Sequence, residues 1–340
     1  MATSVSINSL STYTDHHFIP ALKDNFFLGS ALWFKLRERE EAVDGGDDIR
    51  FPISYDKSNV AGRWAGRFSA ITLQFQDHAT QGVIPVCRYT ASIALADEDV
   101  AKNRGRAKLV NLIKAQVELA ERSLRDKMGV DVFLDGSADS PAGFTGLAAI
   151  LKYNSGTYAG ISRASSSGAK NNPTGNAFWN ANVVAANANT TRVFWKGSTS
   201  WDNSAVLTTA KMQTMFGSCT LDKAKPTIIV TAQVLYDKYW SLLTAIQQQY
   251  TDDTLGKFGF DSLTFNGRPV VVDDNIEAAT SMYFLNLDTF VLAPYTEMNF
   301  ATSPFMRAPD QAAESKLITW MGNIYCDRPQ ANGWITALTA

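Results

Sequence analysis

Cysteine and histidine are scarce in this chain of 340 residues, with three of each. Cys87, Cys219 and Cys326 lie far apart, with no Cys-x-x-Cys pair and no Cys/His cluster. That argues against a disulfide framework and against a zinc centre. The three read as buried or half-buried thiols in a reducing compartment. His16 and His17 sit on a polar arm and His78 on or just past a strand; none has a partner at ligand spacing. Solvated or hydrogen-bonded imidazoles are the plain reading. No window approaches the roughly 18 apolar residues of a membrane span. The opening "MATSVSINSLSTYTDHHF" has neither the basic nor the apolar region of a secretory signal. Basic excess is also missing: the net charge is -2 and the isoelectric point about 6.0, so no tight coating of nucleic acid is expected. "GFTGLAAI" and "DGGDD" contain glycine, but neither has the spacing of a dinucleotide or phosphate cradle. No cofactor, no metal and no catalytic residue is expected.

What is present is globular composition, 45% hydrophobic and 19% charged. The length suits two domains or one large composite fold. After the polar arm, Leu22, Phe26, Phe27, Trp33 and Phe34 suit a helix over 18–36 entered through Pro20. Residues 49–95 change to period two in "IRFPISYD", "FSAITLQFQ" and "GVIPVCRYTASIAL", an extended β excursion with its tip in "KSNVAGRWAGRF". A lone hairpin could not bury such faces by itself. Asp97, Glu98 and Asp99 suit the positive end of a helix dipole. Leu109, Leu112, Ile113, Gln116, Val117, Ala120, Leu124 and Met128 form a helical stripe. A helix over 106–134 would be about 40 Å long, with Gly136 suited to its end. Next comes "FLDGSADSPAGFTGLAAIL", all turn residues and small polar groups, with no group that could carry chemistry.

Residues 152–204 are loop-rich, with two or three short strands. Beyond 205, a helix ending at Gly217, a buried strand in "KPTIIVTAQVL" and a helix in "YDKYWSLLTAIQQQY" are predicted. Asn266-Gly267 marks a tight hairpin, "SMYFLNLDTFVLAP" one strand, and the C-terminal part a long strand and a short one after Pro329. Asp273 and Asp274 are adjacent, so in a strand they would face opposite ways; a backbone-bonded turn fits better than a metal site. Tyr236, Tyr239 and Trp240 read as core or interface.

Charge is unevenly placed. Between Lys57 and Arg67 the charged residues are Lys57, Arg63 and Arg67, all basic, beside Trp64. Between Glu38 and Asp48 there are seven charged residues, and only Arg39 among them is basic. The basic tip of one copy could meet the acidic base of another, through Lys57, Arg63, Trp64, Arg67, Glu40, Asp47 and Asp48. Two unrelated solvated segments would look the same.

The order of these pieces resembles the major capsid protein of tailed bacteriophages, the Hong Kong 97-like fold. The resemblance runs from about residue 18 to the C-terminus. It rests on Asp135, Gly136, Pro141 and Gly143 to Gly146 after the long helix, on Gly160, Ile161, Arg163 and Trp179, and on "NGRPVVVDDNI". It implies an α+β fold: an N-terminal arm and short helix (1–43), an E-loop hairpin (44–96), and a peripheral domain (97–204) with a spine helix at about 106–134. An axial α/β domain (205–304) and C-terminal strands returning to the peripheral domain (305–340) complete it. The stretch 133–151 becomes the hinge after the spine helix.

The implied function is an icosahedral head shell of hexamers and pentamers around double-stranded DNA, touched non-specifically. A portal protein and a separate scaffolding protein are the expected partners, and no membrane. The place is the virion, after assembly in the host bacterial cytoplasm. Some relatives join subunits by a Lys-Asn isopeptide bond, for which Lys57 and Asn323 are the raw candidates. An encapsulin-like cellular compartment shares the fold. The rival of another class is a hydrolase with a carboxylate or Ser site in the C-terminal α/β domain; all three histidines lie outside that domain.

Overall fold

The computed structural model describes residues 30–54, 66, 79–98, 112–137, 143–152, 156–163, 166–169, 172–175, 179–185, 193–194, 197–198, 205–221, 223–243, 262–276, 280–304, 306–307 and 313–339. Helix α1 (Ala31–Arg37) is followed by β1 (Asp48–Ser54), β2 (Ala79–Pro85), β3 (Cys87–Ala96) and the long helix α2 (Leu112–Asp131). A short helix α3 (Leu147–Ile150) precedes β4 (Thr157–Tyr158), β5 (Ile161–Ser162), β6 (Ser166–Ala169), β7 (Asn172–Gly175), β8 (Asn182–Ala185), β9 (Val193–Phe194) and β10 (Gly197–Ser198). Then come α4 (Thr209–Cys219), β11 (Ile228–Thr231), α5 (Gln233–Leu242), β12 (Ser262–Phe265), β13 (Arg268–Val272) and β14 (Met282–Leu285). The chain closes with β15 (Phe290–Pro294), β16 (Ala301–Thr302), β17 (Met306–Arg307), β18 (Ala313–Cys326) and β19 (Gly333–Thr336).

Two sheets organise these elements. In the first, β18 is central: β3 pairs with it antiparallel from Ala313↔Ala96 to Gly322↔Cys87, and β15, β16 and β17 share its other side. Along β3, Cys87, Tyr89, Ile93 and Leu95 are buried and Ala91 is half-buried against the same core, while the residues alternating with them face outward. That alternation lets α2 lay its apolar stripe, Leu124 and Met128, on one face. The second sheet has the order β12-β13-β11-β14-β19-β8, with β11/β13 and β19/β8 parallel. Helices α4 and α5 pack on it around Met212, Met215, Phe216, Leu235 and Tyr239. Strands β11 and β14 are buried at every position, as a sheet covered on both faces requires.

Several expectations are met. Asn266 (φ 50) and Gly267 (φ 72) form the tight turn between β12 and β13, with Phe265 opposite Arg268. The three cysteines are buried free thiols, and burial pushes Cys87 and Cys326 up to about 12. The mixed helix-and-strand class is as read.

Others are corrected. Helix α1 starts at Ala31, because Ser30 is extended (φ -86, ψ 116) and its hydroxyl accepts from the Trp33 amide as N-cap; a helix entered at Pro20 cannot run through it. The run 82–95 is two strands, β2 paired with β1 and β3 paired with β18. "SMYFLNLDTFVLAP" is also two strands, in different sheets; Asn286 caps a 3-10 turn over Leu287–Thr289 where the chain crosses between them. Strands also cross the spans read from sequence: β8 and β19 both lie in the sheet built from 205–304.

Candidate functional site

The acidic stretch after α1 is a strap along the edge of β15. Its backbone makes the attachment: the amides of Glu41 and Val43 donate to the carbonyls of Leu292 and Pro294 at 2.9 and 2.8 Å, and Thr296 donates back to Val43. The Tyr295 hydroxyl donates to the Gly46 carbonyl at 2.6 Å, and the Thr296 hydroxyl to the Asp44 carboxylate. The side chains are left outward. Glu40 takes the Arg37 guanidinium at 3.3 Å and the Asn299 amide at 3.4 Å. Asp47 is exposed, and Asp48 has Arg50 at 3.9 Å. Arg39 pairs with Asp288. Lys35 pairs with Glu38 at 3.0 Å, so the strap presents a row of carboxylates of which Glu38, Glu40 and Asp48 have a cation nearby and Asp47 stands exposed.

Strand β1 leaves directly from this strap and pairs with β2 from Asp48↔Pro85 to Ser54↔Ala79. Ile49, Phe51 and Ile53 point inward; Phe51 stacks on Tyr325 at 4.5 Å and approaches Trp179 at 6.4 Å. Gly82 is opposite: a Cβ there would stand 2.7 Å from the Phe51 ring. The root of the excursion is thus anchored in the main core, which supplies the burial a free hairpin lacks. Lys57, Arg63, Trp64 and Arg67, and His16, His17 and His78, lie outside the described residues. The structure brings Glu40, Asp47 and Asp48 to one edge.

The junction after α2 is the second feature. Helix α2 ends at Asp131, and the chain returns through Gly143–Gly146 to lie on that end. The Leu147 amide donates to the Val132 carbonyl at 2.7 Å, one of the carbonyls a helix end leaves free. The Tyr89 hydroxyl donates to the Asp131 carboxylate at 2.8 Å and accepts from the Phe144 amide at 3.0 Å. Lys127 faces the other Asp131 oxygen at 2.9 Å. Burial pushes the Tyr89 hydroxyl far above the usual phenol range. Asn323, 1% exposed, accepts from the Thr145 amide at 3.0 Å and donates to the Pro85 carbonyl at 2.7 Å and the Thr145 hydroxyl at 3.1 Å. Its amide is buried and committed, which removes it as a surface partner for Lys57. Asp135 closes a local turn by accepting from the Ser137 amide and hydroxyl.

The other resemblance-bearing residues are structural. Arg163 is fully buried; its guanidinium donates to the Ala149 and Ile150 carbonyls at 2.9 and 2.6 Å and lies 4.9 Å from the centre of the Tyr158 ring. Desolvation lowers it to about 10. Trp179 stacks on the same tyrosine at 5.4 Å and donates to its carbonyl. Asp273 accepts from the Ser30 hydroxyl at 2.6 Å and the Asn275 amide at 3.1 Å, the backbone-bonded turn the sequence suggested. Among the described residues no cluster of three metal-ligating side chains occurs. Of the polar network at Tyr89, Asp131 and Asn323, the sequence marks only Asn323, and in another role, as a cross-link candidate; nothing in a lone Tyr or Asp points to this joint.

No protein-family model matches the sequence, and no curated protein matches it. Solved structures do. The cyanophage A-1(L) capsid subunit is 16% identical over 100% of both chains, with a TM-score of 0.69. The capsid of a native GTA particle is 11% identical, again over 100% of both, at 0.61. The SrpI encapsulin of Synechococcus elongatus PCC 7942 is 9% identical over 97% of this chain and 95% of its own, at 0.60. The fold is that of tailed-phage major capsid proteins, as the resemblance in the sequence implied.

Proposed function

We propose that this chain is the major capsid protein of a tailed phage, self-assembling into an icosahedral head shell around double-stranded DNA. The observation that carries this is the end-to-end match to the cyanophage A-1(L) capsid subunit, with neither chain leaving a part unmatched. On this reading many copies join as hexamers and pentamers, each contact weak and the sum large. A portal protein and a separate scaffolding protein take part, and DNA is held without sequence preference. Assembly takes place in the host bacterial cytoplasm and the product is the virion.

At the contact level, the basic tip with Lys57, Arg63, Trp64 and Arg67 lies on the acidic strap of a neighbouring copy, near Glu40, Asp47 and Asp48. What supports it is the outward row of carboxylates on a strap held by its own backbone. Arg63→Glu with Arg67→Glu is expected to stop assembly while the subunit stays folded; adding Asp47→Lys and Asp48→Lys should restore it in part. Normal shells from the first double variant would refute the pairing.

The encapsulin-like compartment is the second reading, favoured by the SrpI match. Electron microscopy of the purified chain, alone and with any neighbouring scaffold gene product, tests both. Closed shells or capsomers support a shell protein, and nuclease-protected DNA inside shells from infected cells separates phage from compartment. A persistent monomer or dimer would overturn both.

A further inference from the structure

The junction between α2 and the first sheet is built as a fixed joint. A swivel needs backbone free to change its dihedral angles at small cost. Here the two glycines are close contacts. At Gly136 (φ +72) a Cβ would meet the Phe144 carbonyl oxygen at 2.1 Å, and at Gly146 it would meet three carbonyl oxygens of 131–134 at 2.3 to 2.7 Å. The returning chain is also bonded amide by amide. Phe144 donates to the Tyr89 hydroxyl, Thr145 to the Asn323 side chain and Leu147 to the Val132 carbonyl, at 3.0, 3.0 and 2.7 Å. These acceptors belong to β3, to β18 and to the end of α2. Strands β3 and β18 are themselves laddered together from residue 87 to residue 96, so their two acceptors cannot move apart independently. Tyr89 also holds Asp131, the last residue of α2, which ties the helix end to the same strand.

We propose that this clamp presets the angle between α2 and the β3–β18 pair in the free subunit, and that the preset angle fixes the curvature with which copies join. The second half rests on the shell reading above. Shape change during assembly is then confined to other parts of the chain.

Tyr89→Phe tests it, because it removes the hydroxyl that joins Asp131 to the Phe144 amide and leaves the ring in place. Hydrogen exchange of the unassembled subunit and the diameter distribution of its shells are read together. Loss of one such bond should speed exchange at Phe144, Thr145 and Leu147 about tenfold, and the shells should spread over several diameters where the unsubstituted chain gives one. Unchanged exchange would overturn the clamp. Faster exchange with a single unchanged diameter would overturn its link to curvature. If Tyr89→Phe does not fold, Thr145→Val, which removes only the hydroxyl that accepts from the Asn323 amide, is measured the same way. If the unsubstituted chain forms no shell under any condition, the shell reading falls and the curvature claim with it, while exchange still decides whether the clamp exists.

Discussion

Gly146 faces Leu134 so closely that a methyl group on it would stand 2.3 Å from the Leu134 carbonyl oxygen. The Val132 and Asp131 oxygens crowd the same position at 2.5 and 2.7 Å. All three are backbone atoms, so none can rotate away. Gly146→Ala is therefore expected to destabilise the subunit by about 2–4 kcal/mol. Gly217, inside α4 with open space around it, should respond oppositely to the same change, gaining about 0.5–1 kcal/mol. Urea midpoints of the two unassembled variants check the sign.

Arg163 should be intolerant even of lysine. Its planar fork reaches two carbonyl oxygens at once, and an ammonium cannot reproduce that geometry. Arg163→Lys keeps the charge and is expected to cost about 1–3 kcal/mol through a carbonyl left unpaired in the core. Chemical denaturation checks it; an unchanged midpoint would mean the fork is not needed.

Asp273 gives a pH dependence of defined sign. Burial raises its carboxyl above 3.8, outweighing the hydrogen bonds from Ser30, Asn275 and Leu32. Where pH lies above 3.8 and below the raised value, the folded state binds more protons than the unfolded one, so stability falls as pH rises through that window. Asp273→Asn should remove this contribution. The difference between parent and variant, followed by denaturation from acid toward neutral pH, should shift in the variant's favour as pH increases.

The three thiols should be silent in the folded subunit. Each is buried, and Cys87 and Cys326 are held near 12 by burial, so the reactive thiolate is scarce. A thiol reagent at neutral pH is expected to find none in the native protein and all three after denaturation. Fast labelling of the native chain would mean that a core opens readily.

What could be read beforehand was whatever repeats locally. Ile49, Phe51 and Ile53 alternate, Leu124 and Met128 sit one helical turn apart, and Asn266-Gly267 is a turn by itself. The break in the run 82–95 shows only in the structure: burial falls on Gly82 and Ile84, then on Cys87 and Tyr89, so the phase slips by one residue at Val86. The acidic run and the turn-rich stretch stand out in the sequence, but how the strap and the junction attach left no such trace. Glu41 and Val43 attach through main-chain groups that every residue possesses, and Asn323 matters only because Thr145 and Pro85 fold back to it from far along the chain. Periodicity reports which face is buried, and is silent on which distant backbone completes it.

The strap has a consequence for how such a surface could evolve. Because main-chain bonds to Leu292 and Pro294 hold it in place, the identity of its outward side chains is largely uncoupled from its attachment. Asp44 and Glu40 add side-chain contacts to Thr296 and Asn299, but an acid without such a contact, Asp47, can be exchanged or reversed while the ribbon stays docked. A chain built this way can be re-addressed to a new binding surface by point mutation, with no toll on the scaffold that displays the address.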